Sequence, residues 1–280
     1  MVRQITGSKG EPQDADLKME NPKKNRSHLK RKPPMKNSQK KIQSCTAPEK
    51  AEVRHQWRIC SLGQHWVKEH VRHLASGKAT TVRAHCQYNS SNLDELPVAE
   101  MNEISNTYFT NSIKQPCANM YQFKDRPNVD NFIAGWTQYW NDIFELSVPL
   151  EPNVVKALIA SESGFRNLEP VKDGFGQGKV RGLMQVTDTT IKILRDKKGE
   201  LKDHFVEFSN ADLMIPNINI CVGIRWLFQK RRLAESKRGK NVSWNETIQF
   251  YKGYHSKTEA EINKGMKPFR DFFQDLEVCK

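Results

Sequence analysis

From Asn128 onward the apolar residues recur at helical spacing, and that period restricts what the chain can fold into more than any other feature. In "NVDNFIAGWTQYWNDIF", Phe132, Ile133, Trp136, Tyr139, Trp140 and Ile143 trace one broad face of a helix. Val155, Leu158 and Ile159 mark a second helix, with Pro152 suited to its first turn and Gly164 to its end. Ile220, Gly223, Ile224 and Leu227 repeat the i, i+3, i+4, i+7 spacing. Gly223 lowers helix propensity by about 1 kcal/mol against Ala, which close approach of another backbone would explain. "SWNE", Ser243 to Glu246, is a capping box. Trp244, Ile248 and Tyr251 lie along the helix it starts, and Gly253 can end it. A last amphipathic helix carries Phe269, Phe272, Phe273 and Leu276. No internal repeat is visible, and the expected class is mainly α, with an all-helical domain over 128–280.

Upstream, the composition shifts. Hydrophobic residues make up 37% of the 280-residue chain and charged residues 28%, so a core is expected over part of the length only. Residues 1–50 are rich in Lys, Pro, Asn, Gln and Ser, without apolar period, and read as a disordered basic segment. Residues 1–60 hold fifteen Lys/Arg against six Asp/Glu, a balance of +9 within a net charge of +13. A polyanion such as nucleic acid, acidic lipid or an anionic wall is the natural partner of such a segment. Interleaved aromatics and a recognisable nucleic-acid module are both lacking there, which disfavours nucleic acid. No apolar run approaches the roughly 18–20 residues of a membrane span. "MVRQITGSKGEPQDADLKME" has no apolar stretch of the secretory-signal kind.

Residues 51–92 are expected to form a small region with a β-hairpin. In "HWVKEHVRHLASGKATTVRAHC" (65–86), two runs with β-branched residues flank "ASGK", a turn containing Gly77. His65, His70, His73 and His85 lie on this hairpin, with Cys60 and Cys86 close by. Imidazole and thiolate are zinc ligands, but the spacings fit no standard zinc pattern, and neither metal nor cofactor is expected. The six cysteines, Cys45, Cys60, Cys86, Cys117, Cys221 and Cys279, permit disulfides without requiring them. Cys221 falls in an apolar helical pattern and reads as a small core residue. Residues 93–127, a helix and a loop around "KQPCAN", read as a helical linker region.

Against this background one carboxylate stands out. Val155, Leu158 and Ile159 lie at i−7, i−4 and i−3 from Glu162, so the last residue on an apolar stripe is acidic. A carboxyl group on such a face loses hydration, which favours its protonated form. General acid catalysis at a glycosidic oxygen requires that form near neutral pH. A buried Glu neutralised by Arg or Lys fits the same position, and position alone leaves both open. "RGLMQVTDTT" (181–190) reads as a segment threading past a cleft floor, with Asp188 or Thr189 able to cap the next helix. Tyr251, at a helix end in "FYKGYHS", can present its hydroxyl to a carboxyl group.

Taken in order, these stretches resemble the soluble-type lytic transglycosylases, a goose-lysozyme-like family. The family pattern runs A-L-I-x-x-E-S-G-F, G-L-M-Q, N-I-x-x-G-x-x-Y-L and Y-N-A-G. This chain has "ALIASESGF" (157–165), "GLMQ" (182–185), "NICVGIRWL" (219–227) and "YKGY" (251–254). The resemblance spans roughly residues 130–275 and implies a lysozyme-like catalytic domain that cleaves peptidoglycan glycan strands. Glu162 matches the family's sole catalytic acid. That acid protonates the oxygen between N-acetylmuramic acid and N-acetylglucosamine, then takes the proton of the muramoyl C6 hydroxyl, closing a 1,6-anhydro ring without water. Met184 and Gln185 match positions lining the family's cleft, and Tyr251 matches the tyrosine that contacts the acid. Asn219 matches an asparagine read as structural. Three departures stand out. "LEPVKDGFGQGKV" (168–180) lengthens the link to "GLMQ", Trp226 replaces a tyrosine, and Lys252 replaces the asparagine of Y-N-A-G.

A true lysozyme that hydrolyses with water is the rival within enzymes. An inverting one needs a second carboxylate about 6.5–9.5 Å from the acid, and Asp173 or Asp188 are the candidates. A wall-binding protein with a dead site, or a nucleic-acid binder using the basic segment, are rivals of another class. The implied substrate lies outside the cytoplasmic membrane, so action in the periplasm or cell wall is expected. With no secretory signal visible, export by a specialised machine or phage-type release would reconcile the two. A secretion apparatus or an immunity protein would then be further partners.

Overall fold

The computed structural model describes residues 59–61, 63–89, 94–109, 114–117, 129–166, 170–172, 176–239 and 242–278. The basic segment 1–50, Cys45, Cys279 and Asp173 lie outside these residues. The hairpin forms in two stretches, β1 (Gln64–Val67), β2 (His70–His73), β3 (Ala79–Val82) and β4 (His85–Tyr88). β1 pairs antiparallel with β4 and β2 with β3, so that His73 faces Ala79 across the turn containing Gly77. Gly77 sits at φ 78°, where a side chain is strained. The thiols of Cys60 and Cys86, weighed above as metal ligands, are instead joined in a disulfide. His65 Nδ1 lies 2.6 Å from Asn89 Oδ1, and the Nδ1 atoms of His70 and His85 sit against the carbonyls of Lys68 and Arg83.

A short strand, β5 (Glu95–Pro97), leads into α1 (Val98–Tyr108), followed by α2 (Val129–Phe144) and α3 (Pro152–Ser163). Next come β6 (Val171–Lys172), β7 (Lys179–Arg181) and β8 (Val186–Thr187), three short antiparallel strands in that order. α4 (Asp188–Leu194) and β9 (Phe205–Glu207) precede the long α5 (Pro216–Arg238), and α6 (Trp244–Tyr251) and α7 (Glu259–Glu277) close the fold. Seven α-helices dominate the described residues, and the fold is mainly α. No described helix is long and apolar enough to cross a membrane.

α5 is the axis of the core. Ile218, Ile220, Cys221, Val222, Ile224 and Leu227 are fully buried, so the helix is wrapped on nearly every side. The aromatic face of α2 lies against it. Trp136 Nε1 donates to Asn217 Oδ1 at 2.8 Å, and Trp140 Nε1 to the Cys221 carbonyl at 3.1 Å. Cys221 is a buried free thiol, as its apolar surroundings suggested, and burial pushes its pKa well up. Phe132 and Ile143, at the margins of the α2 face, are half-buried against the same core.

Within the expected linker over 93–127, the described helix α1 packs into the core. Met101 and Ile104 of α1 are fully buried, and Asn217 Nδ2 donates to Asn102 Oδ1 and Ser105 Oγ, each at 3.0 Å. β5 also pairs in parallel with β9, more than a hundred residues downstream. Residue 128 is therefore no boundary, because α1 completes the surface that α5 would otherwise expose. The described residues belong to one compact unit spanning Glu49–Lys280.

Candidate active site

α3 carries its acid to the edge of the core. Pro152 sits in the first turn, where its missing N–H is no loss, and Gly164 (φ 57°) closes the helix in the left-handed region. Its N–H donates to the Ala160 carbonyl at 3.0 Å. Val155, Leu158 and Ile159 are fully buried, each contributing about 1.5–3 kcal/mol of hydrophobic stabilisation. That burial fixes the rotation of the helix, so Glu162, next along the stripe, emerges into a cleft of about 360 Å³. The small sheet lines the cleft through Val171, Lys172, Val180 and Thr187, and the segments beside its strands through Gln177 and Gln185. The end of α6 and the following turn also line it, through Tyr251, Lys252, Gly253 and Tyr254. The volume lies within the usual range for small-molecule sites, roughly 300–1,000 Å³.

"GLMQ" is a tight turn held from behind. Gly182 (φ 67°) faces Asn219, and a Cβ there would overlap the Asn219 amide and the Leu213 carbonyl. Asn219 Nδ2 donates to the carbonyls of Arg181 and Leu213 at 3.0 and 2.9 Å, while its Oδ1 accepts from Met184 N at 2.8 Å. One fully buried amide thus fastens the turn to α5, the structural role expected of this asparagine. Gln185, held at φ 51°, reaches the cleft, with its Nε2 donating to the Gly182 carbonyl at 2.7 Å.

Met184 does not line the cleft. Its side chain is fully buried and lies on Gly223, where an added Cβ would overlap its Sδ. The glycine in α5 therefore admits a side chain, not the backbone expected from sequence. Tyr251 also differs from expectation. Its hydroxyl donates to the Met184 carbonyl at 2.7 Å, which commits its proton away from the acid. Burial, and then the charge of Glu162, push the phenol pKa well above its ordinary value. Tyr251 is therefore near the acid electrostatically, but braces the "GLMQ" turn.

The group in contact with the acid is Lys252. Its Nζ donates to Glu162 Oε1 in an ion pair and to Ser161 Oγ at 3.2 Å. The two side chains are only 9% and 18% exposed, so each charge compensates the other where water reaches poorly. The neutralised glutamate that position alone left open has its partner in Lys252, the residue at which the sequence departs from the Y-N-A-G pattern. Lys252 signalled itself in the sequence only as that departure. Tyr254 gave a fainter sign, a glycine at 265 inside a helix, because the Tyr254 ring lies where a Cβ of Gly265 would stand.

Asp188, a candidate second carboxylate, is occupied elsewhere. It pairs with Arg181 and accepts from Lys179 N at 2.8 Å, contacts that lower its pKa, and it does not line the cleft. Nor does it cap α4. That cap is Thr187, whose Oγ1 accepts from Thr190 N at 3.1 Å. Among the described residues, Glu162 is the one carboxylate lining this cleft.

Set against models of known protein families, curated proteins and solved structures, the chain finds no match.

Proposed function

We propose that the chain is a peptidoglycan lytic transglycosylase with a lysozyme-like catalytic domain and Glu162 as its single acid–base group. The observation that carries this reading is convergence on one cleft. Glu162, Gln185 and Tyr251 come from three separate motif blocks and line it together, while Asn219 of the remaining block, "NICVGIRWL", anchors its wall. In the proposed reaction the bound glycan takes Glu162 out of its pair with Lys252, and the acid, once protonated, gives that proton to the glycosidic oxygen as the oxygen leaves the muramoyl C1. The muramoyl C6 hydroxyl then attacks C1, and Glu162 takes its proton, so the acid is restored and no water is consumed. Action outside the cytoplasm is part of the proposal, supported by the Cys60–Cys86 disulfide, since such bonds persist in oxidising compartments.

One observation favours a second reading. The Lys252–Glu162 pair also suits a glycan-binding protein that does not cleave, with the glutamate held as a structural anion. Digestion of purified peptidoglycan with mass analysis of the products separates the readings. Transglycosylation gives ends lighter by one water than hydrolysis does, and a binding protein gives no fragments. Glu162→Gln should fold and lose activity by more than about 100-fold, the lower range for losing general acid catalysis. Undiminished cleavage by that variant would remove Glu162 from the mechanism.

A further inference from the structure

Among the described residues, the Glu162 carboxylate has one hydrogen-bonding partner, Lys252. A general acid must lie within hydrogen-bond reach of the atom that takes its proton, so a carboxylate paired with an ammonium is not ready to react. The backbone of Lys252 is anchored. Lys252 caps α6 with its N–H donating to the Ile248 carbonyl at 2.9 Å, and the neighbouring Tyr251 is tied to the Met184 carbonyl. Its side chain has a second resting place. Nζ also donates to Ser161 Oγ at 3.2 Å, and Lys252 and Ser161 both line a hollow of about 480 Å³ that Glu162 does not line. The ammonium can therefore leave the acid for the Ser161 side by turning its own side chain, with α3 and α6 at rest.

Opening the pair has a cost. Both side chains are largely shielded from water, so solvent does not fully replace the lost partner of either charge. That cost is taken from the binding of whatever opens the site. A protein whose binding-competent form is a minor one binds with an affinity reduced by the competent fraction. Saturated protein is not slowed in this way, because the bound ligand itself holds the site open.

Resting on the catalytic reading given above, we propose that the Lys252–Glu162 pair is an autoinhibitory latch. Lys252 holds the acid closed, and the glycan opens it by displacing the ammonium toward Ser161. The chain is then quiet where glycan is sparse and runs at its full rate where strands are dense. A chain with asparagine at this position would have no cation to close the site.

The test reads kcat and KM separately on purified peptidoglycan strands. Lys252→Asn should lower KM by roughly five- to hundredfold, the equivalent of a partly shielded ion pair, and change kcat by less than about threefold. Lys252→Arg keeps a cation for the acid and should keep the high KM. An unchanged KM in Lys252→Asn, or a fall in kcat without a fall in KM, overturns the latch. A second readout needs no cleavage. The anhydro-ended disaccharide, a product with no bond left to cut, is titrated into wild type, Lys252→Asn, Glu162→Gln and the double variant. Each single substitution removes the pair, so each should bind more tightly than wild type, and the double variant should gain nothing further. Additive gains, or equal binding by all four proteins, overturn the latch, and cleavage by wild type in that case leaves the catalytic reading standing. If wild type cleaves nothing but the singles bind more tightly without additivity, the latch stands and catalysis falls. Absence of both cleavage and any gain in binding removes both.

Discussion

A lysine against the acid makes Glu162 a matter of stability as well as chemistry. Removing one member of a buried pair leaves the other charge uncompensated. Lys252→Met should therefore destabilise the protein by about 1–3 kcal/mol, less than a fully buried pair because water still reaches the carboxylate. Adding Glu162→Gln to that variant should recover part of the loss. Denaturant titration of the two singles and the double reads this directly, and additive losses would mean the charges do not interact. Tyr251→Phe tests the neighbouring contact. It strands the Met184 carbonyl, so stability should fall by about 1–3 kcal/mol. A loss of rate with no loss of stability would place the hydroxyl on the acid instead. Glu162 itself was legible in the sequence because burial of three apolar neighbours at helical spacing leaves its direction little choice. The partner of Tyr251 was not, because a backbone carbonyl sixty-seven positions away leaves no mark in side-chain patterns.

Among the elements, α5 and the "GLMQ" turn are made for one another. Gly223→Ala would drive a methyl into the Met184 thioether, and overpacking of this kind costs about 1–3 kcal/mol. Met184 is long and flexible, so Gly223→Ala/Met184→Ala should cost less than the two single losses combined. Thermal melts of the four proteins give the coupling, and strict additivity would show that these groups do not meet. The helices were readable because apolar period, Pro152, Gly164 and the "SWNE" box all act within a few residues of where they are written. Even so, α7 carries a capping box at Thr258 and Glu261 that the apolar pattern did not call attention to. The strands β6, β7 and β8 were missed for a physical reason. Two or three residues are too short to show alternation, and their pairing depends on a turn held by a distant asparagine.

Taken as a whole, the molecule should lose stability in acid in two stages. Burial, and then the charges of Lys237, Lys230 and Arg238, hold the His255 pKa below its ordinary value. The unfolded chain therefore binds that proton first, and stability should begin to fall as the pH drops through about 6.5. The backbone hydrogen bond from Lys179 and the side chain of Arg181 lower Asp188, and the Ser243 cap lowers Glu246. Their contributions are present above the ordinary carboxylate range and are lost as the pH falls below it. Melting temperatures from pH 8 to pH 3 should show both declines, with His255→Gln flattening only the first. The extent of the unit was the least legible property, because β5 and α1 join it through contacts with residues some hundred positions downstream. Asn219 draws out what such long-range fastening means for a ligand. With three bonds from a single amide already in place, this wall of the cleft is set before any ligand arrives. The disorder that a mobile wall would surrender on binding has been given up during folding instead. Amide exchange at Met184 should accordingly be slow in the free protein and change little when glycan is added.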